Sequence, residues 1–172
     1  SATLETRRAR AECAGGLAQA EQIHGASIAA LETLPSPAQP IAGCDALMTS
    51  RARLALVIRT ADCLPLYLWD AAKRVIGLAH VGWRGLAKQL PMRVAGALRQ
   101  WYHSRLEDLW WGIGPAIRAC CYEVGEEFEP RFGRFVHTTR EGRRTFDLAG
   151  AAIAQLYRCG VRPERVMDTG VC

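Results

Sequence analysis

The sequence predicts an α+β fold, a mixed β-sheet core with flanking helices. Two patterns predict it. Short continuous apolar runs at residues 54–58, 66–69 and 75–79 suit strands buried on both faces. Leu86, Leu90, Val94, Leu98 and Trp101 recur at near-helical spacing, the stripe of an amphipathic helix. Strands and helices follow one another without strict alternation, which favours a mixed sheet over a parallel one.

The elements read in order as follows. Residues 4–19, rich in Ala, Leu, Arg and Glu, read as a helix closed by Gly15 and Gly16 or slightly beyond. Residues 22–30 read as a short strand carrying His24, and Pro35, Ser36, Pro37 and Pro40 mark a loop. Residues 44–49 form a second short strand, followed by the three apolar runs. The helix over residues 86–102 accepts Pro91 only in its first turn. Residues 109–113 are another buried strand, ending in the glycine-rich turn at 112–115, and residues 124–132 a short acidic helix. Asp147 caps a helix with the apolar face Leu148, Ala152, Leu156 and Tyr157, stopped by Gly160 and Pro163. A last strand starts at Val166 and Met167.

Composition excludes several classes. At 172 residues the chain fits one domain, 49% apolar and 23% charged. A net charge of +5 suits an anionic substrate, but the arginines are scattered rather than set in a stripe with aromatics. Nucleic acid is therefore not an expected partner. No apolar run approaches the roughly 20 residues of a membrane span, and no signal peptide is visible, although the chain begins at Ser1 without Met. Seven cysteines without a C-x-x-C pair argue for reduced thiols and a cytoplasmic setting.

Three segments carry the chemistry: Gln22-Ile23-His24-Gly25, Ala61-Asp62-Cys63-Leu64-Pro65 and Ala79-His80-Val81-Gly82-Trp83-Arg84-Gly85. Each holds one borderline or soft metal ligand beside a residue that turns the backbone, and each falls at a strand end, where distant side chains can converge. Two imidazoles and a thiolate suit zinc, and three protein ligands leave its fourth position open. Singly, a buried cysteine or a lone histidine is more often an inert core group, and the spacings match no generic zinc motif.

A fourth segment, Gly114-Pro115-Ala116-Ile117-Arg118-Ala119-Cys120-Cys121-Tyr122-Glu123-Val124-Gly125, completes an ordered set. Together the four resemble the bacterial laccase-domain family, also called polyphenol oxidases or peptidoglycan editing factors. The resemblance covers most of the chain. It implies a cysteine-hydrolase-like α+β fold, a zinc ion held by His24, Cys63 and His80, and purine nucleoside phosphorolysis with adenosine deamination beside it. Purine nucleoside and phosphate would be the partners. It also leads one to expect a single laccase-type domain over residues 1–172 without the N- and C-terminal parts that family members carry.

Within that scheme Arg84 is the first candidate for phosphate, because a guanidinium fork matches phosphate oxygens; a structural salt bridge is the alternative. Arg59 is a weaker candidate. Asp62 is either the carboxyl that shuttles a proton in deamination or a group that orients its loop. Gly112 and Gly114 either offer backbone N–H groups to an anion or simply turn the chain. Cys120 and Cys121 are taken as structural, since neighbours on an extended segment face opposite ways.

Other readings compete. Cys63 and His80 could serve as nucleophile and base of a metal-free hydrolase acting on an acyl or amide substrate such as a cell-wall precursor, a scheme in which His24 has no role. Copper-dependent phenol oxidation needs more histidine than four, two of which (His103 and His137) fall in surface segments. A single copper at the Cys-His-His set remains chemically sound in vitro. Asp168-Thr169-Gly170 matches half of an aspartic protease dyad, but the tripeptide alone carries little weight.

Overall fold

The computed structural model describes residues 16–33 and 39–172. Its strands are β1 (Leu17–Gln19), β2 (Ile28–Ala30), β3 (Ala46–Thr49), β4 (Ala55–Val57), β5 (Leu64–Asp70), β6 (Val75–Val81), β7 (Trp110–Ile113), β8 (Val136–Thr138), β9 (Arg144–Phe146) and β10 (Val166–Asp168). The α-helices are α1 (Trp83–Ala87), α2 (Leu90–Tyr102), α3 (Glu129–Phe132) and α4 (Leu148–Arg158).

Six strands form the main sheet in the order β10-β7-β5-β6-β3-β2. The outer pairs β10–β7 and β2–β3 are parallel and the inner pairs antiparallel, so the sheet is mixed. One face carries Leu64, Leu66, Leu68, Ala79, Val81, Trp111 and Ile113 into a core with Leu90, Val94 and Leu98 of α2 and Leu148, Ala152 and Leu156 of α4. On the opposite face a smaller cluster of Ala18, Ala20, Cys44, Leu47 and Leu54 is buried beneath the parallel pair β1–β4. This is the expected α+β architecture.

Several elements differ from the sequence expectation. Most of the helix expected over residues 4–19 lies outside the described residues, and its last three residues are strand β1, paired with β4. The loop marked by Pro35, Ser36 and Pro37 also lies outside them. The strand expected over residues 22–30 shrinks to β2, because Gln22 and His24 take left-handed backbone angles (φ 64° and 57°) that no strand tolerates.

Residues 86–102 are not one helix. Gln89 is left-handed (φ 62°) and separates α1 from α2, which places Pro91 in the first turn of α2, where its missing N–H costs nothing. The acidic stretch 124–132 gives only a 3₁₀ turn, Glu126–Phe128, and the single turn of α3.

β5 is not buried on both faces: Tyr67 and Trp69 are half exposed while Leu64, Leu66 and Leu68 are buried, because no element among the described residues covers that part of the second face. β4 lies in the small sheet and is only half-buried. The hairpin β8–β9 has no counterpart in the sequence reading. No described helix is long and apolar enough to cross a membrane.

Asp147 caps α4 as expected, its Oδ1 accepting the Gly150 N–H at 2.8 Å. Asp147→Ala should lower unfolding free energy by about 1 kcal/mol, the usual worth of such a cap, read by urea denaturation. Asp168 accepts both arms of the Arg118 guanidinium, at 2.6 and 2.7 Å, tying the end of β10 to the 114–122 segment. The Arg118 hydrogen bonds hold the Asp168 carboxyl below its ordinary 3.8. A depressed folded-state value adds stability above the unfolded value and loses it as pH falls through the folded one. Stability should therefore fall less steeply below 3.8 in Asp168→Asn than in the parent, measured by denaturation across that acid range.

Candidate metal centre

The site is built where four loops meet at one end of the main sheet. β3 and β6 are antiparallel with Ala46 opposite Ala79, so the residues just outside that pair, Asp45 and His80, stand side by side. His80 donates its backbone N–H to the Asp45 carbonyl at 2.8 Å. Its Nδ1 lies 2.9 Å from Asp45 Oδ1. Because a carboxylate only accepts, Nδ1 carries a proton, and Nε2 is the ring nitrogen left to hold a metal. Asp45 is fully buried and also accepts the N–H groups of His24 (2.9 Å) and Gly25 (2.7 Å). One carboxylate thus sets the ring of one histidine and the backbone of the other.

His24 rides on the left-handed loop after β1, its ring edge-on to His80 with centroids 4.8 Å apart. Cys63 ends the loop before β5. The ligand atoms of His24, Cys63 and His80 all lie within 4.8 Å of one another, on exposed, half-buried and buried residues respectively. Gly82 gives them room: a Cβ there would sit 2.9 Å from Cys63 Sγ and 3.5 Å from the His24 ring. At Gly85 a Cβ would come within 2.9 Å of the Gly25 carbonyl oxygen, so a larger residue would push α1 off the His24 loop.

Further bonds join the motif segments. The Gln22 side-chain amide brackets Arg59, accepting its N–H at 2.7 Å and donating to its carbonyl at 2.6 Å. This locks the His24 loop to the loop leading to Cys63. Ile117 donates to the Asp62 carbonyl at 2.9 Å and Gly114 to that of Pro65 at 3.1 Å. The N–H of Gly114 is therefore already taken, continuing the pairing of β7 with β5, and the anion role considered for it does not hold.

A cleft of about 400 Å³ opens over the three ligands, walled also by Glu21, Gln22, Arg59 and Asp62. Asp62 is exposed on its rim. Arg84, the second residue of α1, stacks on Trp83 at 4.6 Å and makes no ion pair among the described residues. A larger hollow of about 700 Å³, bordered by Arg131, Arg134 and Arg158, contains none of these groups. His103 and His137 are exposed, as expected.

The donor set fits a metal ion. Two imidazoles and one sulfur converge, one imidazole is locked by a buried carboxylate in the manner of metal-binding histidines, and glycine clears the space. Burial first, then the charges of Asp62 and Asp45, push the Cys63 thiol above its ordinary value, so without a cation the sulfur keeps its proton. Asp45 was missed in the sequence. Its only signal is a solitary carboxylate heading the apolar run Ala46–Thr49.

Fold and cluster together define a mixed-sheet protein with a group suited to a metal at its sheet end. Residues 2–172 match the family model described as multi-copper polyphenol oxidoreductase laccase, and the chain belongs to that family. A purine nucleoside phosphorylase of Aquifex aeolicus is 34% identical over 132 residues, 77% of this chain and 61% of the relative. One of Deinococcus radiodurans is 36% identical over 153 residues, 86% of this chain and 58% of the relative. Both alignments thus take in only about three-fifths of the relatives' length.

Among solved structures, YlmD from Geobacillus stearothermophilus superposes with a TM-score of 0.86 at 28% identity, over 92% of this chain and 64% of that one. Neisseria meningitidis protein NMB0706 does so with a TM-score of 0.76 at 27% identity, over 96% and 68%. The fold expected from the resemblance is the fold observed.

Asp45→Asn keeps the shape of the side chain but weakens its hold on the His80 ring. Affinity for a divalent cation should drop roughly 10–100-fold, the usual effect of losing such a partner, measured by titration against a chelating dye.

Proposed function

We propose that this chain is the metal-binding core of a zinc-dependent purine nucleoside phosphorylase, taking adenosine or inosine and phosphate to free base and ribose 1-phosphate, with adenosine deamination at the same cleft. The observation that carries it is the convergence of His24, Cys63 and His80 within 4.8 Å over an open cleft. The names of the relatives supply the reaction class. Zinc is the metal best matched to two imidazoles and one thiolate. When bound it would supply Lewis acidity and acidify water at neutral pH.

The chain's own residues do the rest. Asp45 fixes the His80 tautomer and the His24 loop before any substrate arrives, so orientation costs nothing during reaction. Gln22 holds the two cleft walls together. Phosphate must sit against C1′ of the ribose, and a guanidinium fork suits its oxygens. Arg59 lines the cleft, while Arg84 lies at the start of α1, in the segment that follows His80. Arg84 is assigned the phosphate contact and Arg59 the attraction of phosphate to the cleft mouth. Asp62, which lines the cleft, is assigned the proton transfer of deamination.

A second reading has a specific observation in its favour. Asp45, His80 and Cys63 follow one another as orienting acid, base and nucleophile, the order of a metal-free hydrolase. Two features weigh against it. His24 has no part in that scheme, and the surroundings of Cys63 raise its thiol rather than lower it. Copper chemistry of the multi-centre kind needs far more histidine than this chain's four.

The test is elemental analysis of purified protein together with incubation with adenosine and inosine, with and without phosphate. One equivalent of zinc that Cys63→Ala abolishes, and free base released only with phosphate, are expected. Arg84→Ala should raise KM for phosphate about tenfold, the effect of roughly 1.4 kcal/mol of lost contact. An active, metal-free protein would overturn the zinc reading, and the absence of both free base and inosine would favour the hydrolase.

A further inference from the structure

Besides the His24, Cys63 and His80 group, one other place in the described residues gathers three metal-binding side chains: Cys120, Cys121 and Cys172. Sequence reasoning set the first two apart on the assumption of an extended segment. The structure makes that segment a turn. The Arg118 carbonyl accepts the N–H groups of Cys121 at 2.9 Å and Tyr122 at 2.8 Å, curling the chain so that both side chains emerge on one side. Their Sγ atoms are 3.4 Å apart, and Cys172 Sγ is 3.6 Å from that of Cys120. All three thiols are free and exposed.

Cys172 is not there by chance of a loose strand. Arg118 grips Asp168 with both arms and donates its Nε to the Val171 carbonyl at 3.2 Å, and the Ala116 N–H reaches the same carbonyl at 3.2 Å. The bonds that hold residues 168–171 against the 116–118 segment deliver the third sulfur.

We propose that Cys120, Cys121 and Cys172 form a second, all-sulfur site that binds a single thiophilic monovalent cation, Cu(I). Three sulfurs each about 2.3 Å from a central ion make a triangle with edges of roughly 4 Å. The observed separations of 3.4 and 3.6 Å therefore need only a small outward adjustment. No imidazole belongs to the cluster, and the nearby Asp168 carboxylate is already committed to Arg118. A purely soft donor set selects Cu(I) among biological cations. Three sulfurs complete a trigonal Cu(I) shell, whereas zinc at this cluster would still need water as a fourth ligand. Binding is ligand exchange: three S–H protons leave as three S–Cu bonds form, with no change of oxidation state.

The test is anaerobic titration of reduced protein with Cu(I) against a competing chromophoric chelator. The Cys63→Ala variant removes the sulfur of the other group and leaves this cluster intact. It should take one equivalent of Cu(I), gain thiolate-to-copper absorption in the ultraviolet, and show a first coordination shell of sulfur alone by X-ray absorption. The variant combining Cys120→Ser, Cys121→Ser and Cys172→Ser, all at exposed positions, should keep its circular dichroism spectrum and lose that sulfur-only equivalent. The proposal is overturned if Cys63→Ala fails to compete for Cu(I), if the triple variant keeps the sulfur-only signal, or if zinc resides at the cluster and Cu(I) does not displace it. A Cys120–Cys121 disulfide that survives reductant overturns it as well.

Discussion

The buried carboxylate of Asp45 is the constraint on which the site depends. An ionised carboxylate removed from water loses several kcal/mol of hydration unless hydrogen bonds replace it. Asp45 receives three, from the His80 ring and from the backbone N–H groups of His24 and Gly25. Each bond that compensates its burial also positions part of the metal-binding group. The cost of burial and the geometry of the site are thus one arrangement. Loosening either histidine would leave the carboxylate short of a partner.

The sheet supplies the frame for this. β3 and β6 pair in a register that sets Asp45 beside His80, and the ladder leaves little freedom to slip, since a one-residue shift would exchange the two packed faces of a strand that is buried on both. The cleft loops are then fastened to one another. Gln22 binds Arg59, and Ile117 binds Asp62, so the four segments that look like separate motifs in the sequence are one hydrogen-bonded unit. Glycines 82 and 85 belong to that unit through the space they leave empty. The same 114–122 segment that is bonded to Asp62 through Ile117 turns on to present the paired thiols of Cys120 and Cys121.

Much of this was legible in the linear order of residues. Apolar runs located β3, β5, β6 and β7, the Asp147 cap located α4, and the candidate ligands His24, Cys63 and His80 stood out because each has a side chain able to bind a metal beside a chain-turning residue. Errors fell where local pattern competes with backbone geometry. The break at Gln89 and the left-handed turns at Gln22 and His24 involve residues whose type gives no warning of positive φ. The half-exposed face of β5 was misjudged because an apolar run looks the same whether one face or two are covered.

Residue type and patterning determined the α+β class and singled out His24, Cys63 and His80 as candidate ligands, because hydrophobic periodicity and side-chain donor chemistry are local properties. Only the resemblance of the four segments joined the three in one site. Tertiary structure alone decided that Asp45 is the orienting group, that Asp62 and Arg59 share a cleft mouth, and that three thiols meet at Cys172. Those facts depend on strand register and loop curvature, which bring together residues up to 52 positions apart. Pairing at that range is set by the packing of the whole sheet, not by any neighbour in the chain.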